Sequence, residues 1–279
     1  IYQTQGDVNI KTGNITIEKG SVHVQGAVLS GFTVESPRNI LVDDVVENAN
    51  LNAKGDIEVY GGFLMDKEGA KATIHAGGNI SALFATNSTL EAVSGSVFIA
   101  HEITNCIVYA GDKVIATKGR GKIIGSTIRC AHGVEANEIG TPLGVETSIF
   151  LGVEPKDLSR YTERRKKLQG VIQKIIGALG QGQPKEILAK AKPEKRQAVA
   201  DLLKTRLRAE NELLQIKSKI DAARSTMRKS MRARIKVHRT VHPGTIINCF
   251  GKTLKVDSPL EYSQIFYDPA EDKIVVNSI

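Results

Sequence analysis

Two groups of residues have types and spacings that could support chemistry, but neither group completes a reactive site. Gly119-Arg120-Gly121-Lys122 places a lysine after glycines, yet the spacing of a phosphate-binding loop and its following Ser or Thr are absent. His238, His242 and Cys249 are zinc-binding types, but three ligands at loose spacing do not make a tetrahedral site. We interpret the first group as a turn and the second as structural residues. The sequence therefore predicts no catalytic residues, no metal and no cofactor.

The chain also contains a concentration of cations that could bind an anionic partner. Residues 154–239 include 24 Lys and Arg against 9 Asp and Glu, a net charge of +15, whereas the remaining residues carry a net charge of −7. The candidate binding residues are Arg164, Arg165, Lys166, Lys167, Arg228, Lys229, Arg232 and Arg234. A solvated helical surface beside an acidic remainder explains the same charge. That simpler interpretation stays open beside a site for an acidic protein, lipid headgroups or nucleic acid.

The cations lie in a segment with the apolar spacing of a helical hairpin. Its first apolar stripe is Leu168, Ile172, Ile175 and Leu179. A second stripe is made of Val199, Leu202, Ala209, Leu213, Ile216, Ile220, Ala223 and Met227, with Arg206 at its polar position. The spacing predicts helices of about 23 and about 35 to 40 residues that pair as an antiparallel coiled coil, with a short helix at Glu186–Ala191. Pairing of the second stripe with another molecule is the alternative.

Outside this segment the chain is a series of repeats with a variable period. Gly6-Asp7-Val8-Asn9-Ile10 recurs in variant form at residues 20–24, 55–59, 78–82 and 95–99. A second element begins at Val34 and returns after 17, 23, 16, 18 and 20 residues, with an apparent insertion at Met65–Lys71. Periods in this range are typical of arrays in which each unit buries its apolar face against its neighbours.

Each repeat contains two short runs in which apolar and polar residues alternate, as in half-buried strands. Some inward positions are small, namely Ala53, Ala76, Ala92 and Ala110, and Cys130 occupies the same slot. The pattern predicts a mainly β fold, a right-handed parallel β-helix. A left-handed β-helix would repeat strictly every six residues. A sandwich of hairpins would need two-residue turns between adjacent runs, and it would not explain why the repeats stay in phase.

The β pattern resumes after the helical segment. Strand-like runs occur at residues 234–237, 245–248, 253–256 and 273–276. We therefore predict three parts: a parallel β-helix at 1–153, an inserted helical hairpin at 154–234, and a C-terminal β segment at 235–279. The last part is expected to return to the β-helix and to cap its end, because a bare final coil would expose an unpaired edge.

Composition limits the compartment and the class of protein. The chain has no tryptophan and 26 glycines, which suits a solenoid with a thin core. Its three cysteines have no paired spacing, which suits a reducing cytoplasm. The sequence contains no run of about 18 apolar residues, so it predicts no membrane span. No export signal is visible. Because Ile1 falls inside a repeat, we expect an upstream domain.

The order of several motifs resembles the flagellar assembly protein A family. The matching motifs are Thr12-Gly13-Asn14-Ile15, the serial Gly-Asp-Ile-x-Val coils, residues 28–34, Gly119-Arg120-Gly121, Gly140-Thr141-Pro142, Leu151-Gly152-Val153, the helical hairpin, and Val241-His242-Pro243-Gly244-Thr245. Ser36-Pro37-Arg38-Asn39 departs from the Gly-Gly-Asp turn of the family. The resemblance implies a cytoplasmic scaffold or regulator linked to flagella or the cell pole, with no catalytic residues. Cytoskeletal bactofilins are similar in their β-helix core but lack the hairpin.

These features predict a non-enzymatic scaffold or regulatory protein that binds partner proteins through its strand faces and basic hairpin. The predicted location is the cytoplasm, with the cell pole as a finer expectation. Two alternatives stay open: a carbohydrate-active β-helix enzyme or binder, which the scarce aromatic residues disfavour, and hairpin binding to an anionic membrane or, less favoured, nucleic acid. We also expect a homodimer formed mainly by the solenoid, because the positive charge opposes packing of one hairpin on another.

Overall fold

The computed structural model describes residues 1–66, 72–152 and 156–279, and the chain divides into two compact units. The solenoid unit comprises Ile1–Val153 and Lys229–Ile279, and the hairpin unit comprises Glu154–Arg228. Most of the predicted insertion at Met65–Lys71, and the predicted junction at Val153, lie outside the described residues.

The solenoid unit is built from short strands. They are β1 (Tyr2–Thr4), β2 (Ile15–Thr16), β3 (Val22–Val24), β4 (Thr33–Ser36), β5 (Ile40–Val42), β6 (Val46–Glu47), β7 (Asn50–Ala53), β8 (Ile57–Val59), β9 (Phe63–Leu64), β10 (Thr73–Ala76), β11 (Ile80–Thr86), β12 (Thr89–Ala92), β13 (Val97–Thr104), β14 (Ile107–Ala110), β15 (Lys113–Ala116), β16 (Lys122–Ile124), β17 (Thr127–Cys130), β18 (Gly133–Ile139), β19 (Thr147–Leu151), β20 (Arg234–Val241), β21 (Thr245–Cys249), β22 (Lys252–Lys255), β23 (Leu260–Asp268) and β24 (Lys273–Ser278).

A column of buried apolar side chains runs through one sheet, in which β2, β4, β7, β10, β12, β14, β17, β19 and β21 pair in parallel. The residues in register are Ile15, Val34, Leu51, Ile74, Leu90, Val108, Ile128, Ile149 and Ile247. All of them are buried. The predicted register from Val34 to Ile128 is confirmed. The period varies because the connections change in length, whereas the strands do not. Each of these strands has four residues: β4, β7, β10, β12, β14 and β17.

The neighbouring column holds small side chains in the interior of the same sheet. Ser36, Ala53, Ala76, Ala92 and Ala110 follow one another in register. Cys130 pairs with Ala110 and is buried, so its predicted position in this column is confirmed. Beyond it the column widens to Leu151 and then Cys249.

The second sheet follows the same rule on another side of each coil. Its strands β1, β3, β5, β8, β11, β13, β15, β18 and β20 pair in parallel, each with the next coil. Coil-to-coil parallel pairing confirms the predicted β-solenoid and excludes the sandwich of hairpins, in which neighbouring strands would be antiparallel. The right hand of the helix stays a prediction.

Polar side chains after the repeated glycines form a ladder between coils. The backbone N–H of Asp56 donates to Asn39 Oδ1 at 3.0 Å, that of Asn79 to Asp56 Oδ1 at 2.6 Å, and that of Ser96 to Asn79 Oδ1 at 2.9 Å. Asn39 therefore performs the role of the Asp, Asn or Ser of other coils, although its turn departs from the family pattern. The ladder supplies acceptors to turn N–H groups that strand pairing does not reach.

The chain resumes the solenoid directly after the helices. β18 pairs in parallel with β20, and β19 pairs in parallel with β21, so the coils on either side of the insertion are neighbours. Antiparallel strands then close this end, since β23 pairs with β20, β24 with β23 and β22 with β21. The hairpin is thus an insertion between successive coils.

The hairpin unit contains α1 (Lys156–Leu179), α2 (Pro184–Lys190), a 3₁₀ turn (Pro193–Lys195) and α3 (Arg196–Ser230). The long helices have 24 and 35 residues, close to the predicted lengths. Their shared core contains Leu168, Ile172, Ala209, Ile216 and Ile220. The sequence placed Leu202 in this seam, which is wrong, because Leu202 is 39% exposed, whereas the adjacent Leu203 is buried. The side chain of Ala223 lies outside the described residues.

Candidate functional site

The glycine-rich segment that superficially resembles a phosphate-binding loop is a turn in a coil. Gly119 and Gly121 have φ values of +55° and +60°, which favour glycine. Lys122, the first residue of β16, directs its Nζ to Glu138 Oε2 at 2.8 Å. A lysine already paired with a carboxylate is not available to a phosphate, so the structure supports interpretation of this segment as a turn.

The three zinc-type residues are engaged separately. His238 Nε2 lies 2.8 Å from Glu135 Oε1, and His242 Nε2 lies 3.8 Å from Glu138 Oε2. Cys249 is buried in the small-residue column. Across the described ranges 1–66, 72–152 and 156–279, no group of three His, Cys, Asp or Glu side chains is arranged to hold a metal ion.

The cysteines are buried thiols without the properties of nucleophiles. Burial raises the pKa of Cys106 to about 11, of Cys130 to about 12 and of Cys249 to about 11. At neutral pH these groups are protonated, and the thiolate is the reactive species. All three are free cysteines.

A surface apolar patch, by contrast, is exposed on the solenoid unit. Four side chains define it: Tyr60 (55% exposed), Leu83 (42%), Phe98 (40%) and the partly exposed Ile115. Phe98 and Ile115 are register neighbours on β13 and β15, and they point outward between the buried positions of those strands. Together with Tyr60 and Leu83 they line one shallow depression.

Phe98 and Ile115 of this apolar patch lie between polar positions of their outward column, which holds one further apolar residue, Leu41, nearer the N-terminus. The coils before it present Glu58 and Ser81 at the equivalent positions, and the coils after it present Glu135 and Lys236. Sequence reasoning missed the patch because it read Phe98 only as a strand residue. The available signal was an outward position of the two-residue period occupied by large apolar side chains in successive repeats.

The predicted anionic-partner residues are divided between the units. Arg164, Arg165, Lys166 and Lys167 are consecutive on α1 and share the hairpin unit with Arg228, whereas Lys229, Arg232 and Arg234 belong to the solenoid unit. No common site is therefore assigned to the eight residues, and their joint role stays a prediction.

Several of these cations already have partners. Arg164 donates through Nε and Nη2 to both carboxylate oxygens of Glu212, at 2.7 and 3.0 Å, and this pair lowers the pKa of Glu212. Lys167 Nζ lies 2.9 Å from Glu163. The Arg234 guanidinium lies 4.3 Å from the centre of the Phe266 ring. The structure therefore gives these three residues structural contacts that the charge pattern alone did not reveal.

The whole arrangement, a parallel solenoid with a helical hairpin between its last coils, corresponds to a known protein family. The sequence model of the Flagellar Assembly Protein A beta solenoid domain matches residues 1–274. The chain belongs to this family. No curated protein and no solved structure matches it. The resemblance seen in the sequence is confirmed. The protein is of the flagellar assembly type, and its family is one of non-enzymatic assembly proteins.

Helix composition adds one finding about membranes. Within the part of the chain that the structure describes, no helix is long and apolar enough to cross a bilayer.

Proposed function

We propose that this family member is a scaffold that binds a partner protein through the apolar patch of its solenoid unit during flagellar or cell-pole organisation. The observation that carries the proposal is the cluster of Tyr60, Leu83, Phe98 and Ile115 on a rigid strand face. Contiguous exposed aromatic and aliphatic side chains are typical of interface centres, where they contribute most of the binding energy.

The polar rim of the apolar patch supports a protein partner. Glu58 and Lys118 line the same depression, so a negative and a positive charge flank the apolar centre. Polar rims orient a partner and protect the centre from water. Among the residues that line the depression, Glu58 supplies the one carboxylate. Glycoside hydrolysis needs a pair of carboxylates, so this arrangement favours binding over the carbohydrate-active alternative.

The proposed location is the cytoplasm, with recruitment to the cell pole. Three free, buried cysteines suit a reducing compartment. A fluorescent fusion tests the polar location, and a uniform signal in motile cells would contradict it.

The test of the apolar patch is complementation of motility in a strain that lacks the gene. Phe98→Asp and Leu83→Asp should fail to restore motility, because a buried charge in the interface is not compensated. Ile107→Asp is the matched control, since Ile107 is 44% exposed on a strand of the other sheet. Thermal unfolding must show that all variants fold. Full motility with both patch variants would overturn the proposal.

A further inference from the structure

Helix α3 carries apolar residues that the hairpin seam does not cover. Leu207 and Leu214 are 55% and 68% exposed, whereas Ala209, Ile216 and Ile220 are buried against α1. The two leucines are seven residues apart, so they lie on one side of the helix about 10 Å from each other. A stripe at this spacing is a second helix-packing surface.

A groove between the two long helices lies beside this stripe. Arg165 and Gln169 of α1 line one side, and Leu213, Leu214 and Lys217 of α3 line the other. All of these residues belong to the hairpin unit. The groove therefore combines an apolar floor with three cations, Arg165, Lys217 and Arg224, and two carboxylates, Glu210 and Asp221, also line it.

The cations of the groove lack partners. In the part of the hairpin unit that the structure describes, Arg165, Lys217 and Arg224 have no ion pair, and the buried Nε of Arg165 has no hydrogen-bond acceptor. Glu210, which also lines the groove, is held by Arg206 Nε at 2.7 Å. A buried guanidinium N–H without an acceptor is costly, and carboxylates are its best partners.

We infer that this groove binds an acidic amphipathic helix of a partner protein. The apolar face of that helix would pack on Leu213 and Leu214, which line the groove, and its carboxylates would reach Arg165, Lys217 and Arg224. Binding of an amphipathic helix in an apolar groove is a general mode of peptide recognition. The groove lies between two long helices, and a third helix can pack against two others in this way.

The net charge of the hairpin unit favours an acidic partner protein over a second copy of the chain as the occupant of the groove. The hairpin unit, residues 154–228, contains 19 Lys and Arg against 9 Asp and Glu. Two such hairpins repel each other, most strongly at low salt, whereas an acidic helix is attracted under the same conditions. This surface is separate from the apolar patch of the solenoid unit, so it goes beyond the proposed function.

The test uses the full chain and a synthetic helical peptide of three heptads, with leucine at the a and d positions and glutamate at most others. We expect binding by fluorescence anisotropy that weakens as NaCl rises from about 50 to about 300 mM. Leu214→Glu and Arg165→Gln should each reduce affinity about tenfold or more. Leu202→Glu is the matched control, because Leu202 is exposed on α3 but does not line the groove.

Several outcomes of this experiment would contradict the inference. No peptide binding at low salt, equal binding of a lysine version of the peptide, or unchanged affinity of Leu214→Glu would overturn it. A dimer that Leu214→Glu dissociates would assign the groove to a second copy instead. Binding to vesicles of anionic lipid that needs Arg165 and Lys217 but not Leu214 would assign it to a membrane. Phe98→Asp should bind the peptide like the unmodified protein, which separates this result from the test of the apolar patch.

Discussion

Arg239 Nη1 lies 3.4 Å from Glu138 Oε1, although the two residues are 101 positions apart in the chain. Glu138 belongs to β18, before the inserted hairpin, and Arg239 belongs to β20, after it. The same carboxylate accepts Lys122 Nζ at 2.8 Å, and its side chain is 17% exposed. One carboxylate therefore joins coils on both sides of the insertion.

Replacement of Glu138 by Gln should weaken the solenoid in a pH-dependent way. The hydrogen bond from Lys122 is the main cause that holds the pKa of Glu138 below its ordinary value, and Arg239 and His242 act in the same direction. A lowered pKa gives stability that is present above the unfolded pKa of about 4.3 and is lost as pH falls through the folded value. We expect Glu138→Gln to lose about 1 kcal/mol at pH 7 and less below pH ~4.

Urea unfolding at pH 7 and at pH ~3 measures this difference. Glu163→Gln is the control, because Glu163 forms an exposed pair with Lys167 within one helix and should change nothing measurable. Equal destabilisation at both pH values would show that the Glu138 carboxylate acts through shape rather than charge.

The outcome for particular residues shows what sequence can predict in this fold. Val34 to Ile128, and Cys130 among the alanines, were placed correctly because parallel stacking repeats one local pattern in each coil. Leu202 was misplaced, and the exposed Leu207 and Leu214 were not recognised, because the side of a helix that is buried depends on the position of its partner. The apolar patch was missed for a related reason, since Phe98 meets Ile115 only when coils stack.

Substitution of Leu90, in the buried apolar column, should strongly reduce the free energy of unfolding. It is fully buried between Ile74 and Val108. Leu90→Ala removes apolar atoms and leaves a cavity that rigid stacked coils cannot close, so we expect a loss of about 2 to 5 kcal/mol in the free energy of unfolding. Denaturant unfolding measures it. The same substitution at Leu143, which is 92% exposed, is the control and should have little effect.

A loss below about 1 kcal/mol at Leu90 would indicate that neighbouring coils relax into the cavity. The interior would then be less rigid than the register implies.

The polar ladder should contribute through its acceptors. Asn79 Oδ1 accepts the backbone N–H of Ser96 at 2.9 Å, and Asn79 donates its own N–H to Asp56 at 2.6 Å. Asn79→Ala leaves the Ser96 N–H without that acceptor, and we expect a loss of about 1 kcal/mol. Asn79→Ser should restore part of it, because Ser96 fills the ladder with a hydroxyl in the next coil. Identical melting temperatures of the Ala and Ser variants would contradict a role for the acceptor.

Removal of the hairpin should leave the solenoid folded. The connection between equivalent strands is short elsewhere: two residues join Cys130 to Gly133, and three join Ala53 to Ile57. A short Gly-Ser linker in place of residues 155–228, which keeps Lys229–Ala233 of the solenoid unit, should therefore allow β19 to continue into β20. We expect a cooperative thermal transition and a β-type circular dichroism spectrum. An unfolded product would mean that the helices are needed to form the last coils.

Self-association of the full chain and of the variant without the hairpin tests the predicted homodimer. A dimer formed by the solenoid should persist when the hairpin is removed, because the removed segment carries most of the positive charge and opposes hairpin-to-hairpin packing. A stable pair must bury about 1,200 Å² or more, which an extended strand face can supply. We expect light scattering at about 100 μM to give twice the monomer mass for both proteins. A monomer in both cases would disprove the dimer, and a dimer lost with the hairpin would assign the interface to the helices.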